Sequence, residues 1–159
     1  MTTESFDKMH AAAAHTDNKT PTNLRFNKMP ELYRRRRGHR FYPTDAELRR
    51  MPKIYAQDDK GDNAVVHAHY FNSGSDWFIT EIDPASGEAF GWAIVGGYIF
   101  GAELGYTDLV ALESASGRWG RLVERDCYWT KKTLGEVKAE QHQRYGLAYE
   151  ADDEDGLAA

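Results

Sequence analysis

The chain has 159 residues, 41% of them hydrophobic and 13% aromatic, which is enough apolar material for one packed core and too little for two. Its net charge is −5, and that excludes a uniformly basic coat for nucleic acid. The charge is uneven: 13 basic and 8 acidic residues run through Lys60, and 7 basic and 17 acidic follow, so a basic arm precedes an acidic body. Cys127 is the single cysteine, which rules out an internal disulfide or a multi-cysteine zinc site and suits a reducing compartment. No apolar run approaches the ~18 residues of a membrane span. The opening Met-Thr-Thr-Glu-Ser-Phe-Asp lacks the basic-then-apolar order of a signal peptide. The expectation is a soluble, cytoplasmic protein with no membrane contact.

Residues 1–43 read as a flexible N-terminal tail carrying an arginine-rich arm. Up to Met29 the tail holds few large apolar groups, too few to offset the entropy of ordering. The arm is Tyr33, Arg34, Arg35, Arg36, Arg37, Gly38, His39, Arg40, Phe41 and Tyr42, the only concentrated positive charge in the chain. A single domain is expected over 44–149. Thr44 and Glu47 form a capping box that starts a short helix bounded by Pro52, with Leu48 and Met51 facing inward. Strands are expected at Ala64 to Phe71 and Asp76 to Asp83, joined by the four residues Asn72 to Ser75. Pairing Phe71 with Asp76 puts Val66, Ala68, Tyr70, Trp77, Ile79 and Glu81 on one face. Val65, His67, His69, Phe71, Phe78, Thr80 and Ile82 take the other. Both faces are largely apolar, so each needs a cover.

A third strand is expected at Ala89 to Val95, and the extended piece Ala102 to Leu104 lies between Gly101 and Gly105. Thr107-Asp108 caps a helix that ends at Gly117. Arg121 to Trp129 alternates as a last strand, in which Cys127 is a buried small hydrophobe. Thr133 and Glu136 open a helix to Tyr145. Residues 150–159 are a solvated acidic tail.

Glu81, Asp83, Glu103, Glu124, Arg125 and Asp126 are the first candidates for chemistry. Several carboxylates around one arginine make a metal or acid-base site, or the arginine and one carboxylate simply pin strand to loop. His67 and His69 share a strand face and chelate a metal only if a third ligand arrives; Glu81 is on the opposite face. The glycines Gly91, Gly96, Gly97, Gly101 and Gly105 lack the lysine ending of a phosphate loop. The arm admits three readings: a solvated run, a segment folded back on the acidic body, or a grip on nucleic acid. In the last, Arg34 to Arg37 and Arg40 hold phosphates while Tyr33, Phe41 and Tyr42 stack on bases.

The order Trp77 to Pro84, Ala89-Phe90-Gly91, Glu103-Leu104-Gly105-Tyr106, Leu112-Glu113, Glu124-Arg125-Asp126 and Thr133-Leu134 resembles the family of domains of unknown function DUF2958. The likeness spans roughly residues 46–141, and Glu-Leu-Gly-Tyr followed by Glu-Arg-Asp is its most specific part. It implies a setting on bacterial plasmids, phages and integrative elements, and no reaction.

The expected fold is α+β, a mainly antiparallel twisted sheet of about four to six strands covered by two or three helices. The expected function is a non-enzymatic accessory protein of a mobile element that binds a host or element-encoded protein, one version being interference with a host defence system. The expected binding residues are Glu81, Asp83, Glu103, Tyr106, Glu124, Arg125 and Asp126. Nucleic-acid binding through the arm and a metal-dependent hydrolase built on the carboxylates are the alternatives. No cofactor or metal is called for by the leading reading.

Overall fold

β-Branched and aromatic residues on either side of Ser73-Gly74 form the hairpin that alternation predicts. Its strands, β2 (Ala68–Asn72) and β3 (Ser75–Ile82), set Phe71 opposite Asp76. The turn is tighter than expected, because Asn72 already pairs with Ser75 and Gly74 takes φ +93°, a conformation open to glycine. A computed structural model describes residues 29–115 and 120–150. Its other elements are α1 (Arg34–Arg37), α2 (Asp45–Leu48), β1 (Val65–Val66), β4 (Glu88–Ile94), β5 (Glu103–Asp108), α3 (Leu109–Ser114), β6 (Glu124–Arg125), β7 (Lys132–Thr133) and α4 (Leu134–Arg144), with short 3-10 turns at Gly61–Asn63 and Ile99–Gly101. The main sheet is antiparallel in the order β5-β4-β3-β2-β6, and β1 pairs with β7 in a second, two-stranded ladder. The architecture is α+β. No helix among the described residues is long and apolar enough to cross a membrane.

Helices cover both faces of the sheet, which is why both faces of the hairpin are apolar. On one side Leu48 of α2 and Leu109 and Leu112 of α3 pack with Ala68, Tyr70, Ile79 and Ile82. On the other, Leu134 and Val137 of α4 pack with Phe78, Trp92 and Ile94. Simple alternation fails in two places. Val66 joins the α4 side, because the chain leaves the ladder at His67 between β1 and β2. A register shift between Ile79 and Glu81 turns Ile82 into the α2/α3 core, and Glu81 faces a cavity shared with Ala64 and Leu134.

Local chemistry sets the helix starts. Both capping boxes are present, Thr44 with Glu47 and Thr133 with Glu136, and the Asp108 carboxylate accepts from the N–H groups of Val110 and Ala111. α3 stops at Ser114; the expected stop at Gly117 lies outside the described residues. The predicted strand from Arg121 to Trp129 shortens to β6. Asp126 ends it, since its Oδ1 accepts from Tyr128 N at 2.9 Å and bends the chain into a turn. Cys127 is therefore exposed and not a buried hydrophobe. The extended piece expected at Ala102 to Leu104 is longer, running through Gly105 to Asp108 as β5.

The largest correction concerns the N-terminal arm, which is packed into the domain from Met29 onward. Arg37 is buried. Its Nη1 donates to Glu113 Oε1 at 2.8 Å, its Nε to Val123 O at 2.8 Å and its Nη2 to Glu113 O at 3.1 Å. The other demands of Glu113 are met by the N–H groups of Leu32 and Tyr33, each at 3.0 Å. Phe41 and Tyr42 are core residues, Phe41 lying 4.7 Å from the Arg37 guanidinium and Tyr42 donating to Pro30 O. The run of arginines hid this, because a single buried carboxylate far along the chain decides which of them goes inside. The rest of the expected tail, 1–28, and the acidic tail from 151 lie outside the described residues.

Removing one partner of a buried pair strands the other, so Arg37→Met and Glu113→Ala should each cost about 3–5 kcal/mol. Urea unfolding should show a double variant losing much less than the sum of the two. Burial pushes the Glu113 carboxyl up, but Arg37 and the two backbone donors outweigh it and hold it below its ordinary value. The stabilisation it supplies is therefore present above the unfolded carboxyl range and lost as pH falls through the folded value.

Candidate functional site

The carboxylates that the sequence nominates are dispersed, and most are already engaged. Glu81 is 1% exposed; its two oxygens accept from Gln57 N at 2.5 Å and Tyr55 N at 2.7 Å. Gln57 carries the brace onward, donating from Nε2 to Val65 O and Thr80 O. Asp83 closes the β3–β4 turn by accepting from Ala85 N and Ser86 Oγ. Glu124 pairs with His39 Nε2 at 2.5 Å. Asp126 holds Tyr128 N and sits 3.5 Å from His69 Nδ1. Glu103 and Tyr106 lie on β5 and Glu124 on β6, at opposite ends of the sheet order, four strand steps or about 19 Å apart. Among the described residues no group of three or more His, Cys, Asp or Glu side chains is disposed to hold a metal ion.

His67 and His69 do not act together. His69 stacks on Phe78 with centroids 4.5 Å apart and places Nε2 2.9 Å from the buried Asp76 Oδ1. Asp76 also meets Arg144 Nη1 at 3.7 Å. The sequence carried a signal for the His69–Asp76 contact, since pairing Phe71 with Asp76 makes them diagonal neighbours across the hairpin.

His67 lines a cleft of about 180 Å³ with Glu47, Arg50, Arg125, Trp129 and Lys131. Sequence reasoning missed Arg50, Trp129 and Lys131 here, because three separate segments bring them together. Arg125 is positioned by Nε donating to Arg40 O at 3.1 Å. The carboxylate of Glu47 serves its capping box and that of Asp126 its turn, which leaves the cleft with more cations than free anions. Burial first, then Lys131 and Lys60, push the His67 imidazole from its ordinary 6.5 down to about 4.

The arginine cluster divides by exposure. Arg34, Arg35 and Arg36 face solvent, Tyr33 and Arg40 are half-buried, and Arg37, Phe41 and Tyr42 are inside. Of the three aromatics expected to stack on bases, two are thus unavailable. Arg50, Arg125 and Lys131 meet at the cleft beside β6, whereas residues 61–117 contain no Lys or Arg at all.

The other end of the sheet is aromatic and acidic. Tyr106 is 54% exposed and Phe100 75%, and Tyr98 meets Phe100 with centroids 6.2 Å apart. Tyr106 packs edge-on against Phe90. A hydrogen bond with Tyr55, then lost solvent and the nearby Asp58 and Glu88, push its phenol up to about 12.

Because His67 is neutral in the fold and charges more readily when unfolded, it should destabilise the protein progressively as pH falls from 6.5 toward about 4. Ring NMR signals should show His67 titrating near the lower value. His67→Gln should flatten that part of the stability profile.

Compared with known proteins, residues 44–146 match the family model described as Protein of unknown function (DUF2958). No curated protein and no solved structure matches the chain. The match covers well over half of the chain, including the hairpin, the exposed β5 edge and the Glu124-Arg125-Asp126 corner: the protein belongs to the DUF2958 family.

Proposed function

We propose that this protein is a non-enzymatic accessory factor of a bacterial plasmid, phage or integrative element and works by binding a host or element-encoded protein. The observation that carries the reading is the use made of the candidate carboxylates: Glu81, Asp83 and Asp126 satisfy backbone N–H groups and Glu124 pairs with His39. Groups so occupied brace a fold and are poorly placed to activate water. The surface charge has a use of its own, since β3, β4 and β5 carry no Lys or Arg and an acidic surface steers and selects a basic partner. In one form of this function the acidic surface stands in for phosphate before a DNA-binding protein of a host defence system.

Affinity capture from the native host, read by mass spectrometry, is expected to recover a nucleic-acid-handling protein. Neutralising the exposed Asp58, Glu88 and Glu103 together with Asp152 to Asp155 should reduce the recovery at least tenfold, and Glu124→Gln with Asp126→Asn should leave it unchanged. Recovery indifferent to the surface charges, or lost with the second pair, overturns the proposal.

A second reading, nucleic-acid binding, is favoured by the exposure of Arg34, Arg35 and Arg36. It predicts binding of a DNA duplex that weakens steeply with salt. Changing these three to Ala should lower the salt slope and abolish retention in a gel-shift assay; no binding at low salt removes this reading.

A further inference from the structure

We propose that the outer edge of β5 is a strand-addition site for an extended segment of a partner protein in which basic and apolar side chains alternate. The inference rests on the protein-binding reading above and gives it a surface. The two edges of the sheet are treated differently: β6 has two residues, whereas β5 has six and is the terminal strand on its side. Exposed edges are ordinarily blunted by shortness, Lys, Pro or a bulge. β5 reads Glu-Leu-Gly-Tyr-Thr-Asp and pairs with β4 in unbroken register, so it has none of these.

The phase of the ladder shows which groups are on offer. Leu109 N donates to Gly87 O at 3.0 Å. Counting back in twos along the register, Thr107, Gly105 and Glu103 bond to β4, and Leu104 and Tyr106 turn their N–H and C=O outward. The side chains agree, for Tyr106 directly opposes Phe90 with ring centroids 5.1 Å apart, as a pair without mutual hydrogen bonds should. Gly105 adds room, since nothing lies within 4 Å of where its Cβ would be. Around these groups stand exposed apolar side chains, Leu104 and Tyr106 on the strand and Phe100 just before it. Tyr55 belongs with them: it is exposed and held at φ +73°, costly for a tyrosine, with its N–H on buried Glu81.

Charge chooses the occupant. Glu103 lies on the strand and Glu88 beside it on β4, both exposed, while the Asp108 carboxylate is held by the cap of α3. None of β3, β4 and β5 carries a Lys or Arg. A second copy would bring the same carboxylates to the seam and be repelled, whereas an incoming strand with Lys or Arg on the Glu103 face and apolar groups on the Leu104 and Tyr106 face would match both. Main-chain bonds supply affinity in this mode and the alternating side chains supply selectivity.

The test uses the full chain and two labelled, end-capped octapeptides, one alternating Lys with Val and the other Glu with Val, in fluorescence anisotropy at moderate salt. The lysine peptide is expected to bind at least tenfold tighter. Leu104→Pro removes an outward N–H without touching the β4 ladder and should weaken that binding at least tenfold with an unchanged melting temperature. If it unfolds the protein, the exposed pair Glu88→Lys and Glu103→Lys should reverse the peptide preference instead. Equal binding of both peptides, indifference to these variants, or self-association through β5 in sedimentation overturns the inference. Partner capture that depends on surface charge but not on Leu104→Pro would sink this edge and leave the proposed function standing.

Discussion

A carboxylate taken wholly out of water must be given donors, and the arrangement around Glu113 follows from that need. Glu113 ends up 1% exposed at the inner side of α3, and α3 supplies no cation. The chain meets the demand with Arg37 and with the N–H groups of Leu32 and Tyr33, which draws the whole of 29–43 onto the sheet. Phe41 and Tyr42 come with it and complete the α2/α3 core, each large side chain contributing about 1.5–3 kcal/mol by its burial. The same guanidinium holds Val123 O, which fixes the approach to β6. Arg40 O then orients Arg125 and thereby one wall of the cationic cleft. A buried pair is weak evidence for net stability; here its effect is to join three distant segments in one geometry.

That joining also sorts the charge. The basic residues cluster before Lys60 in sequence, and packing 29–53 into the domain brings Arg50 to the cleft that Arg125 and Lys131 share beside β6. The strands β3, β4 and β5, drawn from the cation-free stretch, carry the acidic and aromatic surface away to the other end. The two sides of the sheet thus differ, with a small cleft lined by Arg50, Arg125 and Lys131 beside β6 and an open strand edge at β5. The carboxylates that are most buried, Glu81 and Glu113, are held by backbone donors, whereas Glu88 and Glu103 beside the β5 edge are exposed.

Several features were legible because their causes are local. The capping boxes at Thr44 and Thr133 need only a hydroxyl and a carboxylate three residues apart. The hairpin register follows from side-chain alternation and a glycine turn. The apolar character of both hairpin faces required a cover on each side, and α2 and α3 on one and α4 on the other provide it. Local signals were also where the errors arose: Arg121 to Trp129 alternates like a strand, yet the Asp126 carboxylate captures Tyr128 N and exposes Cys127.

The sequence by itself therefore determined the α+β class, the starts of α2, α3 and α4 and the pairing of β2 with β3, since each depends on neighbours within a few residues. Tertiary structure alone decided that Arg37 goes inward while Arg34 to Arg36 stay in water, that the register shift after Ile79 exchanges the roles of Glu81 and Ile82, and that the named carboxylates never meet. Those outcomes turn on contacts between groups dozens of positions apart, where desolvation and hydrogen-bond satisfaction act on whichever partners the packed sheet brings within reach.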